Sequence, residues 1–337
     1  MHTPSLLHRL PGAALGAVMA SLLSGAALAS EVVTRQEFPV TPGGRLILDA
    51  DRGSITVTPG ATQAVGLTVT RELKGASAAK TEEALAQHPI DCVQDGNTVR
   101  IHAHSREGSL AFWRRNSLRV RYEVTVPRKF DLQLKTAGGG ITVGDITGQV
   151  ELSTAGGSLT TGTIDGSLKA RTSGGSIRAD GVTGNVEAGT AGGSIHLGDM
   201  GGDVHAETSG GSIRIASAVG AVDAETAGGS IELSRLSGAA HAETSGGSIT
   251  AAFAASPSKD SVLETSGGSI TVLLPESASC AVDARTSGGS VSNELPVTTR
   301  RRESKSEFQG DLGSGGSTLK LRTSGGGIRL KALAATP

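Results

Sequence analysis

This chain carries almost no aromatic side chains, only two cysteines, no long apolar run beyond its N-terminal segment, and no excess charge of either sign. Aromatics make up 2% of the 337 residues, so the stacking platforms that flank sugar-processing grooves are missing. A formal net charge of −1 leaves no electrostatic footprint for nucleic acid or an anionic membrane. Neither partner is expected. No segment after the first is apolar enough to span a bilayer, which needs about 20 consecutive apolar residues.

What the sequence has in quantity is glycine, 49 residues, and it recurs on a fixed period. The hexapeptide Thr-(Ser/Ala)-Gly-Gly-(Ser/Gly)-(Ile/Leu) begins at Thr136, Thr154, Thr172, Thr190, Thr208, Thr226 and Thr244, each 18 residues after the last. Copies at Thr265 and Thr286 follow at 21-residue steps, and one at Thr323 lies 37 residues further on. A strict period of this length is the mark of a solenoid. Within one repeat Val204, Ala206 and Thr208 alternate with His205 and Glu207, Gly210-Gly211 breaks the run, and Ile213 and Ile215 alternate with Arg214. That is the period-2 pattern of strands. Stacked coils then place neighbouring rungs about 4.8 Å apart, with Val, Ala, Thr and Ile in inward columns. The paired glycines serve a tight corner, through positive φ or through close approach of one rung to the next. A phosphate cradle would need a helix and a lysine after the loop, and neither is present.

The first residues read as a leader. His8 and Arg9 precede an apolar run from Ala13 to Leu28 that ends in Ala27-Leu28-Ala29, the small-residue pattern of a signal-peptide cleavage site. Residues 1–29 are therefore expected to be a signal peptide, and the protein to be exported to the periplasm or medium. The other reading of this segment is an uncleaved anchor. No Cys follows the cleavage point to carry a lipid, and the C-terminus from Ile328 to Pro337 offers no anchoring tail. Cys92 and Cys280 are expected to lie about 35 Å apart along the solenoid, beyond the ~7 Å Cα limit of a disulfide.

Residues 30–135 form an irregular cap region. Leu46, Leu48 and Ala50, then Ile55 and Val57, fit the coil template with Ala50 in the threonine slot. Strands are expected at Val65 to Val69, Val99 to Ala103 and Leu118 to Val126, and one short helix over 76–87, stopped by Pro89. Phe112, Trp113, Arg114 and Arg115 lie in a connection there, either as an exposed contact or folded back on the cap. The predicted fold is all-β, a single-chain parallel β-solenoid of 18-residue coils over 136–337. A polar excursion at about 293–317, holding Arg300, Arg301, Arg302, Glu303 and Lys305, is expected to be mobile.

Segment 45–57, RLILDADRGSITV, segment 120–143, VRYEVTVPRKFDLQLKTAGGGITV, and the TSGGSI coils resemble exported bacterial proteins provisionally named adhesins, a domain-of-unknown-function family with β-strand repeats. The resemblance covers residues 38 to 331 and implies the fold. It carries over no catalytic residue. The basic insertion at Arg300 to Lys305 and the strict 18-residue spacing depart from the family pattern.

The serines after each glycine pair, from Ser158 to Ser290, form a column, but no His and Asp accompany them at fixed offset, as a nucleophile would require. An enzyme is not expected, and no cofactor is implied. A flat Thr-x-Thr ice-binding face and the aspartate-rich calcium roll are also absent. The expected role is a binding or adhesin-like surface at the cell envelope, with an unknown envelope or extracellular partner, glycan or protein. The alternatives are a glycan-acting enzyme on a β-helix, and a structural or sensory envelope module binding a protein. On the outer face His205 and Glu207, Asp223 and Glu225, and His241 and Glu243 stack in consecutive coils, and Glu264 continues the second column. Two readings stand for Asp223, Glu225 and Glu243: a weak calcium-type site relieving carboxylate repulsion, or a solvated face screened by salt.

Overall fold

A computed structural model of the chain describes residues 19–22, 29–74, 78–105 and 118–333. Each coil supplies one strand to each of two long sheets, and the successive rungs are parallel. In the first sheet Val186, Ala188 and Thr190 pair with Val204, Ala206 and Thr208, which pair with Val222, Ala224 and Thr226. In the second, Ile195 and Leu197 pair with Ile213 and Ile215, and these with Ile231 and Leu233. Alternate residues of both sheets turn inward and are buried in one continuous core. The inward slot is narrow, and Ala188, Ala206, Ala224 and Ala242 fill it at 1% exposure or less. The parallel β-solenoid expected from the repeat is what forms.

The glycine corner works by close approach. A Cβ on Gly211 would stand 2.0 Å from the carbonyl oxygen of Gly193 one rung below, whereas on Gly210 its nearest neighbour is 3.5 Å away. Neither glycine has a left-handed φ. The buried threonine closes the same corner. Its hydroxyl donates to a glycine carbonyl of the preceding coil, 2.8 Å from Thr208 Oγ1 to Gly193 O, and accepts from the Gly211 N–H at 3.3 Å. The same pair of bonds recurs at Thr154, Thr172, Thr190, Thr226 and Thr244. The serine column forms a further ladder: Ser212 N donates to Ser194 Oγ, and Ser230 N to Ser212 Oγ. At the opposite corner Asn185 and Asp203 side chains accept the amides of Asp203 and Ala221. Backbone groups at both bends are thus paired by side chains.

The first coil is β3 (Gly44–Ala50) and β4 (Ser54–Gly60), following β1 (Met19–Leu22) and β2 (Ala29–Pro39). β5 (Ala64–Lys74), α1 (Ala78–Gln87), β6 (Asp91–Asp95), β7 (Thr98–Ala103) and β8 (Leu118–Pro127) complete the cap, and β9 (Phe130–Thr136) starts the regular stack. One sheet is extended by β8, β5, β2 and β1, the other by β7 and β6. Because β5 and β6 belong to different sheets, α1 carries the chain across the open end of the core, where Ala84 is buried. β5, β7, β8 and the helix lie where the sequence places them. β2 and β6 were not foreseen. β1 and Ala29, the first residue of β2, fall inside the expected leader, and its other residues lie outside the described ones, as do Phe112, Trp113, Arg114 and Arg115. No described helix is long and apolar enough to cross a membrane.

The C-terminal end corrects one expectation. The chain leaves the stack after Val291, and Leu319, Leu321 and Thr323 rejoin its template, but inside the stack and not at its end. Thr318–Thr323 inserts between Ser261–Thr265 and Cys280–Thr286, and Ile328–Ala332 between Ile270–Leu274 and Val291–Asn293. Spatial order therefore differs from chain order. The polar segment expected to be mobile is instead an antiparallel hairpin, Val297–Glu303 with Glu307–Leu312, laid on the outermost strand Cys280–Thr286. Phe308, Leu312 and Leu295 supply its buried side, and Arg301 and Arg302 hold Asp311 and Glu307. Cys92 and Cys280 are free thiols. Burial pushes them up to about 12 and about 11 respectively, so both stay protonated at neutral pH.

Candidate binding face

The threonine-bearing sheet turns two outward columns to solvent, set by the register of its rungs. One reads Glu187, His205, Asp223, His241; the other Gly189, Glu207, Glu225, Glu243, Glu264. Opposite charges pair up the stack at its lower and upper ends. Glu187 is held by Arg171 and Lys169, and the Arg171 hydrogen bond keeps its carboxyl below the usual range. Lys320 bonds Glu264 at 2.8 Å, and Arg322 pairs with Asp283. The middle of the face keeps its carboxylates without such cations.

There the structure brings together Asp223, Glu225 and His241, whose ligand atoms all lie within 4.8 Å of one another. Glu243, expected as the third member with Asp223 and Glu225, is the cross-rung neighbour of Glu225 but stands outside that group. His205 Nδ1 lies 3.0 Å from Asp223 Oδ2, while Asp223 Oδ1 is shielded and without a hydrogen-bond partner. An imidazole in the set shifts its chemistry away from calcium, which takes oxygen ligands. Above it, Glu243, Glu264, Arg285, Glu307 and Arg322 line an open groove of about 450 Å³.

A polar cluster that the sequence did not reveal sits inside the cap. His88 is fully buried and its Nε2 lies 2.8 Å from Asp51 Oδ1, while Asp51 Oδ2 accepts from the Ser105 amide at 2.8 Å. Burial works against ionising Asp51, but the His88 and Ser105 hydrogen bonds outweigh it and hold the carboxyl below its ordinary value. Arg71 bonds Thr34 Oγ1 and the His88 carbonyl. Burial raises the Tyr122 phenol well above its usual range. His88 is at 0% exposure and Asp51 at 16%, and their contact ties the end of α1 to the first coil. On the opposite sheet His196 lies between Arg178 and Arg214 of the adjacent rungs.

No curated protein matches the sequence. Among solved structures, the chain is similar to a protein of Parabacteroides merdae provisionally named an adhesin, at 10% identity and a TM-score of 0.39, covering 89% of this chain and 96% of that one. It is also similar to a Bacteroides fragilis protein with the same provisional name (14% identity, TM-score 0.29, 89% and 97% covered). A third is a Parabacteroides distasonis protein provisionally named lipid-binding (10% identity, TM-score 0.33, 89% and 96% covered). The coil register from Arg45 to Lys331 coincides with the span matched by one family model, residues 45–331, and the chain belongs to the Toastrack DUF4097 family.

Proposed function

We propose that the protein is a non-enzymatic, exported binding protein that presents the outer face of its threonine-bearing sheet to an envelope or extracellular ligand, glycan or protein. The observation that carries this reading is the continuous outward array from Glu187 to Glu264, rigidly spaced by the rung register and left largely without cations at its centre. A parallel stack fixes such groups at about 4.8 Å intervals, which suits a repetitive or extended partner. The serine column is engaged in backbone ladders, and His88 is fully buried against Asp51, so neither favours a hydrolytic reading. The calcium reading of Asp223, Glu225 and Glu243 belongs to this same face, as a bridge to acidic glycan.

The test is retention on a glycan array and from envelope extract, with and without millimolar calcium, for the wild type and for Glu225→Gln. Retention that weakens in Glu225→Gln supports the face as the binding surface. Turnover of a bound glycan, or retention untouched by substitutions along the two columns, overturns it. Calcium heat that is equal in the wild type and Glu225→Gln removes the calcium bridge alone.

A further inference from the structure

Asp49, His102 and His104 form a second cluster, at the cap end of the same sheet and far along the stack from Asp223. Their ligand atoms all lie within 4.8 Å of one another. The sequence hides it because the residues come from two strands: Asp49 sits in β3 directly opposite His102 in β7, and His104 follows two residues on. Residues at i and i+2 of an extended segment share a face, and the two imidazole rings stack with centroids 4.1 Å apart and planes 7° from parallel. His104 Nε2 approaches Asp49 Oδ1 to 3.1 Å. Both atoms are shielded from solvent, and neither has a hydrogen-bond partner, because their alignment is wrong for one.

Two shielded donor atoms that face each other without bonding suit a shared cation better than each other. With metal–ligand bonds of about 2.0–2.1 Å, two ligands of a tetrahedral ion stand about 3.3 Å apart, close to the 3.1 Å seen between His104 and Asp49. His102 is exposed and needs only a side-chain swing to close the set. Lys135 Nζ lies 3.9 Å from Asp49 Oδ2, the other oxygen, and its side chain is 64% exposed, free to stay or withdraw. The Asp223 group is the weaker candidate, since His205 already engages its carboxylate.

We propose that Asp49, His102 and His104 bind a divalent late first-row transition ion such as zinc. Two imidazoles and one carboxylate are the donors such ions prefer, and calcium and magnesium do not. Three protein ligands leave a coordination position for water or for a donor from a partner. The site lies on the same outer face but at its cap end, below the Glu187–Glu264 array, so the two can fail separately.

Isothermal titration of the protein with zinc, and cobalt absorption as a report of ligand geometry, test this directly. One equivalent is expected to bind at the site. His102→Ala and His104→Ala are each expected to weaken binding about 100-fold, since loss of even an outer partner of a ligand costs about 10–100-fold. His102 is exposed, so His102→Ala is expected to keep the metal-free melting temperature, which separates ligand loss from misfolding. His241→Ala is expected to leave this affinity unchanged. Absence of zinc binding overturns the proposal, as does binding that survives both His102→Ala and His104→Ala or disappears instead in His241→Ala.

Discussion

At the scale of single residues, the corner of each coil asks two glycines to do different things. Gly211 lies against the Gly193 carbonyl, and a methyl there would overlap it, whereas Gly210 has room. Gly211→Ala is expected to cost about 3 kcal/mol or more and Gly210→Ala less than about 1 kcal/mol, read as the difference in denaturant midpoint. Equal costs would refute the close-approach account. Thr208→Val keeps the shape but removes both corner bonds, leaving a carbonyl and an amide unpaired at a cost of about 1–3 kcal/mol, while Thr208→Ser is expected to retain most of the stability. The sequence makes the threonine slot legible as inward-facing because alternation alone demands it. It does not reveal the hydroxyl's two partners, which lie 15 residues before and three after. Nor could it show that the serines bond amides 18 residues on.

His196 supplies a pH signature at the same scale. Burial, with Arg178 and Arg214 on the adjacent rungs, lowers its folded pKa from 6.5. The unfolded chain then takes up the proton first as pH falls. Stability is therefore full above about pH 6.5 and declines as the pH is lowered below it, until the folded-state value is passed. His196→Gln removes this contribution, so melting curves of wild type and variant are expected to converge or cross toward acid. Curves that stay parallel from about pH 7.5 to about pH 5 would show that the histidine is not felt.

Among the elements, the hairpin of Val297–Glu303 and Glu307–Leu312 departs most from what composition implies. Its arginines and glutamates read as an unfolded excursion, yet Arg301 and Arg302 pair with Asp311 and Glu307 across and along the strands, while Phe308, Leu312 and Leu295 are buried in the core. A hairpin with one apolar side is hard to see in sequence when its solvent side is so charged. Its position explains the charge: it covers the last strand of the stack, and a bare strand edge invites pairing with another copy. Phe308→Ala is expected to cost about 3–5 kcal/mol. Deletion of the hairpin is expected to produce oligomers on size exclusion. A monomer of unchanged stability would show that the hairpin caps nothing. At the other end, β2 and β6 escaped notice because each pairs antiparallel with a strand outside the repeat, and no period marks them.

Across the whole molecule, the fold was legible because an 18-residue period repeats one solution to one local problem many times. The sites were only partly so. The outward columns follow from register, but which three side chains converge depends on rotamers, and His241 rather than Glu243 joins Asp223 and Glu225. The Asp49, His102 and His104 cluster needed the pairing of β3 with β7, a contact spanning more than one irregular segment.

The insertion of Thr318–Thr323 and Ile328–Ala332 beneath coils made earlier in the chain has a consequence for how the molecule is assembled. Emerging from its N-terminus, the chain can add rungs one upon another as far as Ile270–Leu274. The next segment, Cys280–Thr286, has no template of its own until the final forty or so residues arrive, because its parallel neighbour is Thr318–Thr323. The stack cannot be completed by simple accretion. The C-terminus therefore acts as a keystone, and a chain cut short near its end loses an interior course of the column, not its top.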